Sequence, residues 1–264
     1  MGSGKGGETV PLKELTLWGE RDKVQIAIAR LREFEPEVGY YLAFSGGKDS
    51  ITIYRLAEMA GVKFDAHYRV TTVDPPELVR FIKRHYPTVA RDRPEMTMFQ
   101  LILHEKWPPM RTKRYCCRVL KECGGEGRLT ITGIRWEESP QRAKRRLIEQ
   151  CYTDGSKTYL NPIIDWTTAD VWEFIRCEGL NYCSLYDEGF ERIGCILCPL
   201  ARAPERDSAR WPQFKKAYIH TFDKLLKLRR ELGLETNMKT GQEVYDWWIQ
   251  RHTSPAPQEA RLFD

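Results

Sequence analysis

The sequence predicts an α/β protein, a doubly wound and mostly parallel sheet followed by a helical C-terminal extension. Three observations predict it. Short apolar runs alternate with segments of helical period over residues 17–199. The run Tyr40-Tyr41-Leu42-Ala43-Phe44 ends in a glycine-rich loop that opens a helix. After Pro199 the texture becomes charged and helical, with Trp211, Phe214, Tyr218, Phe222, Leu225 and Leu226 at helical spacing.

Taken in order, residues 1–16 are expected to form a flexible leader, because Met1-Gly2-Ser3-Gly4-Lys5-Gly6-Gly7 has no strand before it. Leu17, Val24, Ile26, Ala27, Ile28 and Leu31 lie among charges and predict a helix over 17–34. A strand over 40–44 and a helix over 48–60 follow. Lys63 to Val73 reads as a second strand, stopped by Asp74-Pro75-Pro76, which starts a helix at Glu77. Residues 96–104 suit a short helix and 129–133 a strand. Asn161-Pro162-Ile163-Ile164-Asp165 leads to Trp166-Thr167-Thr168, where a threonine can cap a helix through Ile175. Ligands of such sheets bind at the carboxyl ends of strands. The loop after Phe44, Asp74 and the segment after Gly133 all fall at such ends. The expected organisation is therefore a leader over 1–16, a nucleotide-binding domain over 17–199 and a helical extension over 200–264.

The chain has 264 residues, 30% of them charged, and a formal net charge of +5. That size supports one large domain with an appendage or two small ones. The modest positive charge permits a nucleotide or nucleic-acid partner. No apolar run reaches the roughly 20 residues that span a bilayer, and no secretory signal is visible. A cytoplasmic location without membrane association is expected, where the eight cysteines would be thiols or metal ligands rather than disulfides.

Ser45-Gly46-Gly47-Lys48-Asp49-Ser50 is suited to holding a polyphosphate. The glycines let backbone amides approach a ligand, and the following helix N-terminus favours an anion. Lys48 adds a cation, and Ser45 and Ser50 add hydroxyls. The spacing is not that of the Walker loop. It resembles the PP-loop of ATP pyrophosphatases, which cleave ATP between its α and β phosphates.

Four cysteines form a pattern, Cys116-Cys117 and Cys195-Ile196-Leu197-Cys198. Four thiolates suit zinc or a [4Fe–4S] cluster, and Cys195/Cys198 alone could be a redox pair, although Ile196-Leu197 fits a thioredoxin centre poorly. Arg111, Lys113, Arg114, Arg118 and Lys121 would offset thiolate charge. Cys123, Cys151, Cys177 and Cys183 have no comparable spacing and are expected to be bystanders.

These cysteines, together with Gly133-Ile134-Arg135-Trp136-Glu137-Glu138-Ser139-Pro140-Gln141-Arg142, Asn161–Trp166 and Leu185-Tyr186-Asp187-Glu188-Gly189-Phe190, resemble the phosphoadenosine/adenosine phosphosulfate reductase family over roughly 38–200. The resemblance implies an adenine nucleotide alpha hydrolase-like fold and a [4Fe–4S] cluster on Cys116, Cys117, Cys195 and Cys198. Those reductases carry a catalytic tail cysteine and a degenerate phosphate loop. Here the loop keeps Lys48 and Asp49, and no cysteine follows Cys198. The combination resembles the DndC and SspD branch that serves DNA phosphorothioation, as does Thr72–Val79. That implies ATP cleavage to AMP and pyrophosphate, with sulfur replacing an activated oxygen of DNA ahead of tRNA. It also implies ATP, Mg²⁺, a cysteine desulfurase as sulfur donor and further subunits of a modification complex.

In this reading Ser45, Gly46, Gly47, Lys48 and Ser50 hold the β and γ phosphates. Asp49 orients the loop or binds Mg²⁺, and Asp74 reaches the ribose or metal, or caps a helix. Gly133 belongs to the ATP site. Arg135 and Arg142 hold the α-phosphate or the substrate backbone, with Glu138 fixing Arg135. The basic run Arg142-Ala143-Lys144-Arg145-Arg146, beside Trp136, is a candidate nucleic-acid contact. The alternatives are a sulfonucleotide reductase, a tRNA thiolation enzyme and a non-catalytic subunit of a modification complex.

Overall fold

The computed structural model describes residues 12–16, 19–151, 155, 157–198, 200, 201, 203–234 and 236–250. An antiparallel hairpin of β1 (Lys13–Thr16) and β2 (Gly19–Asp22) leads into α1 (Lys23–Glu33). This corrects the expected leader boundary and the expected helix start. Gly19 takes φ +111°, a left-handed value that breaks a helix, and Asp22 caps α1 by accepting from the amides of Val24 and Gln25. The glycine-rich opening, residues 1–7, lies outside the described residues.

Next come β3 (Tyr40–Ala43), α2 (Lys48–Ala60), β4 (Phe64–Arg69), α3 (Pro76–His85), β5 (Ala90–Asp92), α4 (Met98–Glu105), α5 (Tyr115–Leu120) and β6 (Leu129–Ile131). They are followed by β7 (Ile148–Gln150), β8 (Thr158–Leu160) and α6 (Thr168–Cys177), then by α7 (Pro204–Arg210), α8 (Pro212–Glu231) and α9 (Gly241–Gln250). β4 stops short of the expected Val73 because the next residues fold into a loop. Thr72 sits at φ +65°, and the Asp74 carboxylate accepts from the Thr71 amide at 2.8 Å.

Six strands form the central sheet in the order β5-β4-β3-β6-β8-β7. β3 runs parallel to β4 and β6, β6 runs parallel to β8, and β7 is an antiparallel edge. The predicted fold class is thus the observed one. From β3 the chain moves outward to β4 and β5, then returns to place β6 on the other side of β3. The crevice between the carboxyl ends of β3 and β6 is therefore the topological switch point, where such sheets take their ligands.

The chain divides into two compact units that cut across the linear boundary expected at 199/200. One holds the chain up to Tyr68, Glu77–Arg91 and Gly124–Arg192. The other holds Arg69–Pro76, Asp92–Cys123 and the chain from Ile193 onward. In the first, Tyr40, Leu42, Ile51, Ile53 and Leu56 form a solvent-free centre. Arg30 binds both carboxylate oxygens of Asp165, at 2.8 and 3.0 Å, so the Asn161–Trp166 motif ties α1 to the start of α6. Thr167 caps α6 in a reciprocal box with Asp170. In the second unit, Trp211, Tyr218, Phe222 and Trp248 are buried, and Trp248 donates its indole N–H to the Pro109 carbonyl at 2.7 Å. Among the described residues no helix is long and apolar enough to cross a membrane.

Candidate functional site

Ser45–Ser50 forms a tight turn from β3 into α2. Gly46 takes φ +72°, and a Cβ there would lie 2.7 Å from Ile82 Cδ1, so only glycine lets the turn pass this close to α3. Gly47 begins α2 with no side-chain cap, leaving first-turn amides for other acceptors. One of these, the Lys48 amide, donates to the Tyr186 hydroxyl at 2.9 Å. Ser45 is exposed at the rim and donates to Ser50 Oγ at 3.2 Å. Ser50 is buried and donates to the Gly47 carbonyl at 2.9 Å. Its hydroxyl braces the turn.

Lys48 is buried, with Nζ 3.2 Å from Asp49 Oδ2. Asp49 Oδ1 accepts from Arg135 Nε at 2.8 Å. Arg135, 1% exposed, spends its remaining donors on Glu137 at 3.1 Å, the Trp166 carbonyl at 3.3 Å and Thr168 Oγ1 at 3.3 Å. Glu137 also accepts from Thr168 Oγ1 at 2.8 Å, and this bond, with Arg135, holds its pKa below the usual carboxylate range. So engaged, the guanidinium positions Asp49. Glu138 accepts from the Arg135 backbone amide at 3.0 Å, while its carboxylate pairs with the Arg142 guanidinium. It fixes Arg142, not the Arg135 side chain. Arg142 remains 34% exposed along its side chain. A Cβ on Gly133 would stand 2.9 Å from Asp49 Cβ, so this glycine lets the end of β6 lie against the first turn of α2. That is a packing role at the edge of the phosphate loop.

The expected basic run is divided. Arg142 pairs with Glu138 and Arg145 with buried Glu149. Lys144 and Arg146 are exposed.

In the second unit, Cys116 and Cys117 lie on α5 and Cys195 and Cys198 on a turn, and all four line one cavity with Thr71, Met98, Lys121 and Tyr218. The cavity encloses about 350 Å³ of empty space, its mouth included. Cys198 N–H donates to the Cys195 carbonyl at 3.2 Å. Leu197, at φ +57°, donates its amide to Asp207 at 2.9 Å. Ile196 and Leu197 are buried and no helix starts at Cys198, which is unlike the exposed helix-start geometry of a thioredoxin pair.

Of the five basic residues expected near Cys116-Cys117, Arg114 hydrogen bonds Cys117 and Lys121 hydrogen bonds Cys195, while Lys113 stacks on Trp107 at 4.0 Å. The Cys116 hydrogen bond and Arg114 bring Cys117 down to about 5, whereas burial raises Cys195. No three of the described His, Cys, Asp and Glu side chains are grouped to hold one metal ion. The donor set of the cavity, four soft ligands with two cations beside them, suits a [4Fe–4S] cluster or zinc. Asp74 also lies in this unit, hydrogen-bonded to Thr71. It closes a loop and does not cap α3, where Pro75 and Pro76 intervene. None of the eight cysteines is in a disulfide.

Tyr186 and Glu137 were not predicted as site residues. Both lie in segments that carry the family resemblance, but Glu137 is one of two adjacent acids and Tyr186 one aromatic among many, so nothing singled them out.

A family model described as the phosphoadenosine phosphosulfate reductase domain matches residues 39–201. An adenosine 5'-phosphosulfate reductase of Oceanobacillus iheyensis is 31% identical over 179 residues, covering 63% of this chain and 72% of that protein. An uncharacterized protein of Methanocaldococcus jannaschii is 29% identical over 226 residues, which are 80% of this chain but 45% of that relative's length. Among solved structures, the phosphoadenylyl-sulfate reductase of Candida auris in its phosphate complex is similar with a TM-score of 0.48 at 18% identity, covering 64% of this chain and 87% of that one.

Proposed function

The chain belongs to the phosphoadenosine phosphosulfate reductase family, and from that premise we propose that it is an ATP pyrophosphatase that activates a nucleic-acid oxygen for replacement by sulfur. The observation that carries this reading is the linked set Lys48, Asp49 and Arg135 at the switch point of the sheet. Cleaving ATP at the α-phosphate is largely a matter of holding charge in place.

An acceptor oxygen, for which a DNA backbone phosphate is the first candidate, attacks the α-phosphorus. The bond from that phosphorus to the α–β bridging oxygen breaks and pyrophosphate leaves. A sulfur nucleophile then displaces AMP, which carries the original oxygen away. Lys48 and the amides of Gly46 and Gly47 neutralise and orient the leaving pyrophosphate. Asp49, aimed by Arg135, would hold Mg²⁺, and Arg142, whose side chain reaches solvent, would meet the acceptor. Cys116, Cys117, Cys195 and Cys198 would hold the [4Fe–4S] cluster, which when bound supplies sulfur-transfer or electron-transfer chemistry. A cysteine desulfurase is the sulfur source in this reading, and the remaining partners are subunits of a modification complex.

The test is to supply the protein with ATP, Mg²⁺, a desulfurase and DNA or tRNA. Pyrophosphate release and the sulfur content of the digested nucleotides are then measured. No pyrophosphate with either acceptor sinks the proposal. Sulfite formed from adenosine phosphosulfate and a thiol reductant would replace it with sulfonucleotide reduction, the activity that names the Oceanobacillus iheyensis relative.

A further inference from the structure

Trp136 is 44% exposed, yet its ring is held in place. The indole N–H donates to the Arg145 carbonyl at 2.8 Å, so what remains open to solvent is apolar ring surface. The 3-10 turn that carries it, Trp136–Glu138, begins one residue after Arg135, the side chain that grips Asp49 of the phosphate loop. On either side of the anchoring Arg145 carbonyl stand Lys144 and Arg146, both exposed and neither in an ion pair among the described residues. The neighbouring cations Arg142 and Arg145 are neutralised by Glu138 and Glu149. The segment thus offers a fixed aromatic ring anchored on the residue that two exposed cations flank in sequence, and it continues from the strand end that also supports the phosphate loop.

We propose that Trp136, Lys144 and Arg146 form a docking surface for single-stranded nucleic acid. An unpaired base stacks on the indole, and flanking backbone phosphates meet the two cations. This rests on the reading that the acceptor is a nucleic acid and names the part of the chain that receives it. Stacking needs a base out of its duplex, because paired bases keep their faces covered. An acidic peptide would use the cations but has no need of the ring.

The test is fluorescence anisotropy of a labelled single-stranded oligonucleotide titrated with the full chain, beside the same sequence as a duplex. Trp136→Ala should weaken single-strand binding on the order of ten-fold, and Trp136→Phe should retain most of it. Replacing both Lys144 and Arg146 by Ala should flatten the dependence of log affinity on log salt by about 1.4. Unchanged binding in these variants, duplex bound as tightly as single strand, or polyglutamate competing charge for charge would each overturn the proposal. Nucleotide binding measured on the same variants confirms that they are folded. Oligonucleotide binding through this surface without pyrophosphate release would break the pyrophosphatase reading alone. Pyrophosphate release with oligonucleotide binding indifferent to the three residues would break this inference alone.

Discussion

In the first compact unit, every charge of the candidate site already has its opposite. Lys48 meets Asp49, Asp49 meets Arg135, and Arg135 meets Glu137. In the second unit, four thiols face one cavity, with Arg114 beside Cys117 and Lys121 beside Cys195. The loop is balanced before a ligand arrives, so it is rigid and ready. The cavity stays neutral as long as its thiols keep their protons, and because ionising several neighbouring sulfurs at once is unfavourable, a bound cation is what would draw those protons off. A phosphate-binding loop can therefore be judged by what its members do to one another. A thiol cavity is judged by what it lacks.

Four experiments break or sharpen this contrast. The largest effect is expected for Lys48→Ala, which should lower pyrophosphate release by about 100-fold or more while circular dichroism stays unchanged. Full turnover would show that the balanced network has no catalytic part.

Next, Cys198→Ser should strip iron and the visible absorption from anaerobically purified protein, whereas Cys183→Ser, at a buried site apart from the cavity lining, should keep both. Zinc in a colourless parent protein would mean that the cavity takes a single ion after all.

Arg135→Met should cost roughly 3 kcal/mol in urea unfolding, since it deprives Asp49 and Glu137 of a cation buried to 1% exposure. If activity fell and stability did not, Arg135 would be touching substrate instead of positioning Asp49.

The smallest effect is expected for Tyr186→Phe. Its hydroxyl already accepts from the Lys48 amide, and its own proton can be given to a phosphate. Losing one such hydrogen bond should raise KM for ATP about three-fold with little change in kcat. A lower KM would mean that the hydroxyl competes with phosphate for that amide.

The loop was legible because its geometry is local. Two glycines, a lysine and the start of a helix lie in consecutive positions, and their backbone requirements can be read directly. The same holds for β3, α2 and the Thr167 cap. Partnerships were not legible. Arg135 and Asp49 are 86 positions apart, so nothing in the sequence says that the arginine turns inward to the carboxylate. The run from Arg142 to Arg146 read as one cationic stripe, but Glu138 and Glu149 remove two of its charges. The linear domain boundary missed the interleaving of the two units because a boundary drawn along the chain assumes that each unit is contiguous. The cysteine pattern named the four thiols, and only the fold shows that they line one cavity.

That interleaving has a consequence for biosynthesis. The cavity wall includes Thr71, Met98, Cys116, Cys117, Cys195, Cys198 and Tyr218, so it cannot exist until a growing chain has passed Tyr218. At ribosomal speeds of roughly 5–20 residues per second, Cys116 and Cys117 spend several seconds as thiols without their partners. Whatever fills the cavity enters only after that point, and a fragment ending before Cys195 presents two close thiols and no site.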